Sequence, residues 1–423
     1  MQHDRHMPVS GTSGKDFPLR FPEFIALVAA LMALNALSID PMLPALPAMG
    51  EALGIVEDNQ RQWIVSSYFA GLGIGSLFYG SLSDNFGRKP VLLVSLSLYL
   101  LAGVFCALAQ DFTVMLTGRA AQGFFAAATR VVAISIVRDR FVGDRMASIM
   151  STVFIVFMIV PILAPTFGQL ILYVANWRWI FIALLIIGAI VMAWTALRLP
   201  ETLTPQNRVH INIGDITTTF WTIITNRTAF GYMMATGIAM GALIGFITSV
   251  QQIFFDIFHL PDVFPYAFAG IAGFMALGSF CNSRLVERIG ARRMSQGSLM
   301  FFIALSAVHS GIALAGMETV WSFVVIQALT MLSFAFTGSN FGSISMESFS
   351  RGAGAASSFQ ACLTTLISAM IGTFIGSQFN GTTAPLALGF LSCGLLSLLW
   401  VFWAERGRLF TRPRTPKIPQ PLR

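Results

Sequence analysis

Two charged residues lie deep inside long apolar runs of this sequence. Asp40 falls within the run that starts near residue 22, and Arg119 lies seven residues into the run that starts at Phe112. If these runs cross a membrane, a carboxylate there costs roughly 2.5 to 3.5 kcal/mol on insertion scales and indicates a functional role. A carboxyl group that binds and releases a proton beside a guanidinium can couple proton movement to a conformational change. We therefore predict a proton-coupling site at Asp40 and Arg119.

The depths of the two residues support this pairing. Asp40 is eight residues from Ala48, where its run ends, and Arg119 is seven from Phe112. At about 1.5 Å per residue, both lie roughly 10 to 12 Å below the same surface, so we expect them to approach one another across a cavity. The Asp40-Pro41 pair also has a structural interpretation, because aspartate followed by proline is typical of a helix start. The sequence leaves both roles open.

The elements that position these residues are long apolar helices. The chain has 423 residues, of which 55% are hydrophobic and 11% are charged, against about 25% charged in ordinary soluble domains. A helix needs about 20 apolar residues to span a bilayer. Twelve runs have this character: 22–48, 60–82, 91–109, 113–136, 145–173, 178–197, 228–258, 263–284, 294–316, 319–346, 353–379 and 384–404. The sequence therefore predicts an all-α, multi-pass integral membrane protein with twelve transmembrane helices.

These twelve spans form two similar halves. A basic turn at Gly80–Pro90 is echoed at Leu285–Arg293, about half the chain later. Internal repeats of this kind are typical of transporters whose halves face each other across a substrate path. The long polar interruption after the sixth span separates the halves. We predict five parts: a cytoplasmic N-terminal tail (1–20), an N-terminal six-helix bundle (21–198), a cytoplasmic linker (199–227), a C-terminal six-helix bundle (228–404) and a cytoplasmic C-terminal tail (405–423).

The basic residues set the predicted orientation, since cytoplasmic loops carry an excess of Lys and Arg. With both termini inside, all Lys and Arg residues except Arg61, Arg119, Arg130 and Arg178 fall on the cytoplasmic side. The net charge of +7 therefore reflects membrane topology and does not indicate a nucleic-acid partner.

The turn at Gly80–Lys89 has further chemistry. Gly80 and Gly87 permit close approach and a tight turn, and Asp84 lies four residues before Arg88, a spacing that favours an ion pair. Asp84 could equally accept backbone N–H groups at a neighbouring helix start. We predict that Gly80, Asp84, Gly87, Arg88 and Lys89 form a latch that holds the halves in one conformation. The alternative is a stable turn whose two cations only set the topology.

Three polar residues in the spans have more than one interpretation. Arg130 lies eleven residues beyond Arg119, about 16 Å along the same helix. It either contacts substrate in the inner half of a cavity or extends towards the cytoplasmic headgroups, and the second interpretation is favoured. Asn35 and Gln122 either contact substrate or hydrogen-bond between helices.

The sequence gives no support for an enzyme. Its five His and four Cys residues are scattered without catalytic or metal-ligand spacing, so we predict no metal and no cofactor. The basic turn lacks the Gly-x-x-x-x-Gly-Lys-Ser/Thr spacing of a phosphate-binding loop. ATP-driven transport therefore has no support.

Several motifs resemble those of the major facilitator superfamily. The turn at Gly80–Lys89 is similar to its Gly-x-x-x-Asp-x-x-Gly-Arg-Lys signature, and Arg119–Gly123 resembles its Arg-x-x-x-Gly motif. The segment Pro161–Gln169 resembles the antiporter motif Gly-Pro-x-x-Gly-Gly, with Ala164 and Gln169 in place of two glycines. The runs Leu37–Pro47, Asn282–Ala291 and Ala353–Ser358 resemble drug:proton antiporters of the Bcr/CflA type. The antiporter-motif positions are Pro161, Ala164, Pro165 and Gly168.

This resemblance implies a fold, a function and a setting. The expected fold is the major facilitator fold, and the expected function is export of small amphipathic drugs in exchange for protons, driven by a proton gradient without a cofactor. We expect a monomer in a bacterial inner (cytoplasmic) membrane, with a small-molecule substrate, protons and the lipid bilayer as its partners. The degenerate antiporter motif leaves open a facilitator or symporter of a small metabolite. The residues expected to bind substrate are Asn35, Gln122, Phe124, Phe125, Tyr232, Phe246, Phe334 and Phe336.

Overall fold

A computed structural model describes residues 19–141, 143–208, 213–347, 349 and 353–410. In these ranges the chain forms helices joined by turns and short connections. Most of both predicted tails, and residues 209–212 of the predicted linker, lie outside the described residues. The α-helices are α1 (Phe21–Leu37), α2 (Leu46–Ala52), α3 (Trp63–Phe86), α4 (Arg88–Leu108), α5 (Phe112–Arg140), α6 (Gly143–Val174), α7 (Arg178–Arg198), α8 (Ile213–Thr225), α9 (Arg227–Gln252), α10 (Phe264–Ile289), α11 (Ala291–Leu314), α12 (Val320–Met346), α13 (Ala353–Ser377) and α14 (Ala384–Ala404).

Helices occupy all twelve predicted span positions. Ten helical segments in the described part of the chain are long and apolar enough to cross a membrane. Helices α3 and α6 occupy the positions of the second and fifth predicted spans. Small residues in α3 allow close packing, because a Cβ atom at Gly71 or Gly75 would collide with the backbone of α5. The predicted all-α membrane architecture is confirmed.

The first predicted span is not one continuous helix. Helix α1 ends at Leu37, a 3₁₀ helix covers Asp40–Ala45, and α2 follows directly. Pro41 and Pro44 lack the backbone N–H that a continuing α-helix needs, which explains the break. The prediction of one regular helix over 22–48 is therefore corrected, and Asp40 begins the irregular segment.

The polar stretch between the halves contains a helix that sequence analysis did not predict. Helix α8 packs against α13 and α9 of the C-terminal half. Ile223 is fully buried in this contact, and the ring centroids of Phe220 and Phe359 are 4.5 Å apart. Trp221 on the other side of α8 is 70% exposed, so the helix has one packed face and one free face.

The two halves pack through two pairs of helices, in each of which the second span of one half meets the fifth span of the other. Helix α3 of the N-terminal half lies along α13 of the C-terminal half, and α6 lies along α10. Within the N-terminal half, α5 packs closely against α3 and α4. The residues predicted to do chemistry therefore lie on helices next to the interface between the halves.

Candidate functional site

Asp40 lies at the break between α1 and α2 and is almost fully buried. Its exposed fraction is 5%, and no hydrogen bond or ion pair of its carboxylate is found within the described ranges. Ile39 occupies the N-cap position of the 3₁₀ helix. The structural interpretation of Asp40 as a capping residue is therefore wrong. Asp40 is instead a buried carboxyl group at an irregular backbone segment.

Arg119 reaches the same segment but binds its backbone instead of Asp40. Helix α5 begins after Asp111, whose carboxylate accepts a hydrogen bond of 2.9 Å from the Val114 N–H. Two turns further on, Arg119 is fully buried, and its Nη2 donates to the Ser38 carbonyl at 2.9 Å. Asp40 and Arg119 thus lie on neighbouring segments of one half, and the expected approach across a cavity is corrected to an indirect link through Ser38.

Further contacts hold the Arg119 guanidinium in place. Its Nη1 donates to the Gln122 Oε1 at 2.6 Å, and its Nε donates to the Ile64 carbonyl at 3.3 Å. The guanidinium carbon lies 4.5 Å from the centre of the Tyr68 ring, a cation–π contact. Gln122 thus orients Arg119, and sequence analysis did not predict this role. The i,i+3 spacing of an arginine and a glutamine within an apolar run was the available signal.

The antiporter-like segment of α6 packs directly against the break at Asp40. Ala164 and Pro165 are buried in α6, and Gly168 contacts the Pro41 carbonyl so closely that a Cβ atom would overlap it. Glycine is required here by the close approach of two backbones. Pro161 lies one turn before Pro165 in the same helix. The segment predicted from the resemblance is therefore part of the Asp40 environment.

The predicted ion pair of the N-terminal turn is present. The Arg88 Nη1 lies 2.5 Å from the Asp84 Oδ1, and the Arg88 Nε lies 3.0 Å from the Asp139 Oδ2. Gly87 adopts a φ of +102°, which favours glycine. The Glu201 carboxylate accepts hydrogen bonds from the backbone N–H groups of Arg88 and Lys89 at 3.0 and 3.1 Å, which stabilises the start of α4.

The same turn touches the other half of the protein. A Cβ atom at Gly80 would overlap the Ser358 Oγ of α13, and the Asp84 Oδ2 lies 3.9 Å from the Cβ position of Gly354 at the start of α13. Asp84 thus stands between Arg88 and the first turn of α13. This geometry supports the predicted latch, whose role in transport stays a prediction.

The C-terminal turn also contains a paired arginine, one residue later than the N-terminal turn does. Gly290 lies 203 residues after Gly87, and the residue at the same offset from Arg88 is Ala291, followed by Arg292. In the structure Arg292 makes ion pairs of 2.9 Å with Glu347 and 2.8 Å with Glu405. Gly290 has a φ of +93° and matches Gly87. The echo is therefore shifted in register and still holds a paired arginine.

The predicted substrate-binding residues are dispersed. The Asn35 amide donates to the Thr129 hydroxyl at 2.9 Å, an interhelical contact. Phe124 packs against Phe78, Tyr79 and Phe125, and Phe125 also lines a surface groove between α4 and α5. The predicted contact of Phe124 and Phe125 with substrate stays a prediction.

The predicted aromatic residues of the C-terminal half are also buried or packed. Tyr232 is fully buried, its hydroxyl donates to Glu405 at 2.8 Å, and it belongs to the Arg292 ion-pair network, so its predicted contact with substrate is corrected. Phe246 is 3% exposed and stacks on Phe268. Phe334 is 5% exposed. Phe336 lies in the same helix and is half-buried.

Arg130 lies on the interior face of α5. It is eleven residues, or about three turns, from Arg119 and therefore on the same face. Protein surrounds it, yet its side chain is exposed. Thr117 and Ala121, which line a surface groove between α4 and α5, lie on the opposite face. Arg130 thus shares the face of Arg119, which supports a contact with substrate, and the choice between this role and extension to the headgroups stays a prediction.

A chain of side-chain amides links the halves at the end opposite the basic turns. Gln62, at the start of α3, donates to Gln252 at the end of α9, and the Gln252 Nε2 donates to the Asn59 Oδ1 at 3.2 Å. Asn59 also donates to the Phe379 carbonyl at 2.9 Å, beyond α13. Sequence analysis missed this link, although glutamines at the ends of apolar runs were a signal for it.

Comparison with known proteins identifies the family. The family model described as Major Facilitator Superfamily matches residues 26–373, and the chain belongs to this superfamily. The bicyclomycin resistance protein homolog of Haemophilus influenzae is 28% identical over 367 residues, which cover 84% of this chain and 90% of that protein. Multidrug resistance protein MdtL of Escherichia coli is 38% identical over 137 residues, which cover 32% and 35% of the two chains.

Solved structures agree on the fold. The human organic anion transporter MFSD10 (TETRAN) superposes with a TM-score of 0.64 at 17% identity, covering 90% of this chain and 99% of that one. A bacterial homolog of the human lysosomal transporter Spinster gives a TM-score of 0.66 at 13% identity, covering 90% and 96%. The predicted major facilitator fold and the resemblance to the Bcr/CflA type are confirmed. The protein is a multi-pass membrane transporter and not an enzyme.

Proposed function

We propose that this protein exports small amphipathic drugs or toxicants in exchange for protons, by alternating access between its two halves. The observation that carries this proposal is the buried carboxyl group of Asp40 at the broken first span, which has no hydrogen-bond or ion-pair partner in the described part of the chain. Membership in the superfamily supports transport. The names of its relatives, a bicyclomycin resistance protein homolog and a multidrug resistance protein, support drug export.

The proposed mechanism depends on the contacts of the Asp40 segment. In a buried site an ionised carboxylate is costly, so a neutral Asp40 suits the dry, closed segment and an ionised Asp40 suits a hydrated one. Gly168 packs α6 on Pro41, and Arg119 holds the Ser38 carbonyl. Loss or gain of the proton would thus act on α5 and α6 through the segment that contains Asp40. A substrate that requires the ionised form competes with the proton, which produces antiport.

The setting of this transport is part of the proposal. The distribution of Lys and Arg supports cytoplasmic termini and linker, and the bacterial relatives support a bacterial inner membrane. The basic turn at Gly80–Lys89 is then the cytoplasmic latch. The amide chain of Gln62, Gln252 and Asn59 closes the periplasmic end. We propose that a monomer is the transporting unit.

The decisive experiment measures proton release from the detergent-solubilised protein on addition of bicyclomycin and a panel of amphipathic drugs. We expect release by the wild type and none by Asp40→Asn. Glu287→Gln is the matched control, because it removes an exposed acid and should release protons normally. Normal proton release by Asp40→Asn would refute the coupling role.

A second candidate is a facilitator or symporter of a metabolite in the same fold. The feature that favours it is the pair Ala164 and Gln169, which replace two glycines of the antiporter motif. Counterflow in proteoliposomes of clamped pH separates the two functions. Antiport requires that an inward proton gradient drive substrate out of the cytoplasmic side, whereas a symporter moves both in one direction.

A further inference from the structure

Helix α5 carries two interior arginines whose surroundings differ. Arg119 is fully buried, with three hydrogen bonds and the face of Tyr68 around its guanidinium. Arg130 lies three turns further along on the same face, and its side chain is exposed. In the described part of the chain, neither a hydrogen bond nor an ion pair reaches the Arg130 guanidinium. The Arg119 guanidinium is thus fully engaged by groups of the protein, whereas the Arg130 guanidinium can bind a ligand.

The exposed surface of Arg130 lies on the face of α5 that also carries Arg119. Val114, Thr117 and Ala121 line a surface groove between α4 and α5, and Ala121 is nine residues, or two and a half turns, from Arg130. The two residues therefore point in opposite directions. Protein surrounds Arg130, and its side chain is still accessible. The Arg130 guanidinium can therefore be reached on the side of α5 opposite this groove.

An unpaired cation at membrane depth needs a partner. Intramembrane arginines face cavities and pair with other groups, and they mark substrate pathways. Asp40 does not supply this partner, because it lies beside the Ser38 segment that Arg119 binds, about 16 Å along the helix from Arg130. Neighbouring Thr129 is occupied by Asn35. The charge of Arg130 is therefore left for water or for a ligand.

We propose that Arg130 is the recognition site for an anionic group, such as a carboxylate, on an amphipathic substrate. This inference deepens the proposed function, since it rests on a cavity that carries small amphipathic compounds. The planar guanidinium makes two parallel hydrogen bonds to a carboxylate. The transporter then prefers an anionic or zwitterionic compound over its neutral analogue. Asp40 and Arg130, separated along the path, recognise protons and anionic groups respectively.

The test uses a matched pair of fluorescent probes, 1-pyrenebutyrate and the neutral 1-pyrenebutanamide, and measures their dissociation constants with the full-length protein in nanodiscs. The wild type should bind the butyrate about tenfold or more tightly than the amide, as expected for a charge-assisted contact. Arg130→Gln should remove this preference and leave amide binding within about twofold. Arg138→Gln, at the exposed cytoplasmic end of the same helix, is the control and should retain it.

Other outcomes overturn the proposal. The proposal is wrong if the wild type binds the two probes equally. It is also wrong if Arg130→Gln weakens the binding of both probes equally, or if Arg138→Gln loses the preference for the butyrate as Arg130→Gln does. If Arg130→Gln does not fold, Arg130→Met provides the same test, because it replaces the charge with an apolar side chain of similar length. The measurement needs neither a proton gradient nor Asp40, so its failure leaves proton-coupled export intact and is distinguishable from failure of that function.

Discussion

The two cytoplasmic turns hold an arginine between carboxylates in different ways. In the N-terminal half Arg88 joins Asp84 of its own turn to Asp139 at the end of α5. In the C-terminal half Arg292 joins Glu347, after α12, to Glu405, after α14. Each arginine therefore ties helix ends of its half together, and both turns pass through a glycine of positive φ.

The difference lies in what faces the other half. Asp84 stands beside the first turn of α13, and Gly80 touches Ser358 of the same helix. Its counterpart Glu287 is exposed and forms no ion pair among the described residues. One turn thus combines local stability with contact between the halves, whereas the contacts of the other among the described residues lie within its own half. A repeated motif need not have a repeated function.

The largest expected effect comes from removing the two arginines. Arg88→Gln leaves Asp84 and Asp139 without their cation and should lower the free energy of unfolding by about 3 kcal/mol. Arg292→Gln should cost about as much, because Glu347 and Glu405 are 43% and 12% exposed, against 40% and 15% for Asp84 and Asp139, so water screens the two sites alike. Thermal unfolding in detergent measures both.

Transport by the same variants sharpens the comparison. Per folded molecule, Arg88→Gln should lose about tenfold in transport rate, as expected when a coupling contact is lost, while Arg292→Gln should change little. Equal losses in both variants would show that the two turns contribute alike to transport.

The next effect concerns the glycines of the turns. Alanine at either position must adopt a backbone conformation that only glycine adopts readily, which should lower the free energy of unfolding by about 1 to 2 kcal/mol. A Cβ atom at Gly290 meets nothing within 4 Å, whereas one at Gly87 would lie 2.6 Å from the Glu201 carboxylate. Gly87→Ala should therefore unfold at a lower temperature than Gly290→Ala. Identical unfolding temperatures would show that Glu201 moves away without cost.

The smallest effect is expected at Glu201 itself. Glu201→Ala removes the acceptor for the Arg88 and Lys89 N–H groups and should cost about 1 kcal/mol, which is typical of a lost helix cap. Its counterpart Glu405 accepts from Arg292 and Tyr232. Glu405→Ala should cost more, because it leaves a partly buried arginine with one partner fewer. Chemical denaturation of the Glu201→Ala and Glu405→Ala variants measures both losses in the free energy of unfolding. A larger loss for Glu201→Ala would contradict this order.

The contacts that sequence analysis predicted correctly are local. Asp84 and Arg88 are four residues apart on the chain, and this short separation keeps their side chains within reach of one another even though the helix is interrupted at Gly87. The tight turn at Gly87 was also predicted correctly, because the backbone freedom of a glycine is a property of the residue itself. The contacts of Arg119 were not predicted, because its partners Ser38 and Tyr68 lie on other helices. Nothing in the spacing along α5 specifies how those helices are rotated towards it.

What the sequence determined by itself is the membrane architecture: twelve apolar spans, two halves and the basic turns between them. Span length follows from bilayer thickness, and helical structure follows from the need to satisfy backbone hydrogen bonds in lipid. Only the tertiary structure decided which polar groups meet. It placed Arg119 on the backbone of Ser38, paired Arg292 with Glu347 and Glu405, and left Arg130 without a hydrogen-bond or ion-pair partner among the described residues. Side-chain partners depend on the rotation and register of packed helices, which hydrophobicity along the chain does not encode.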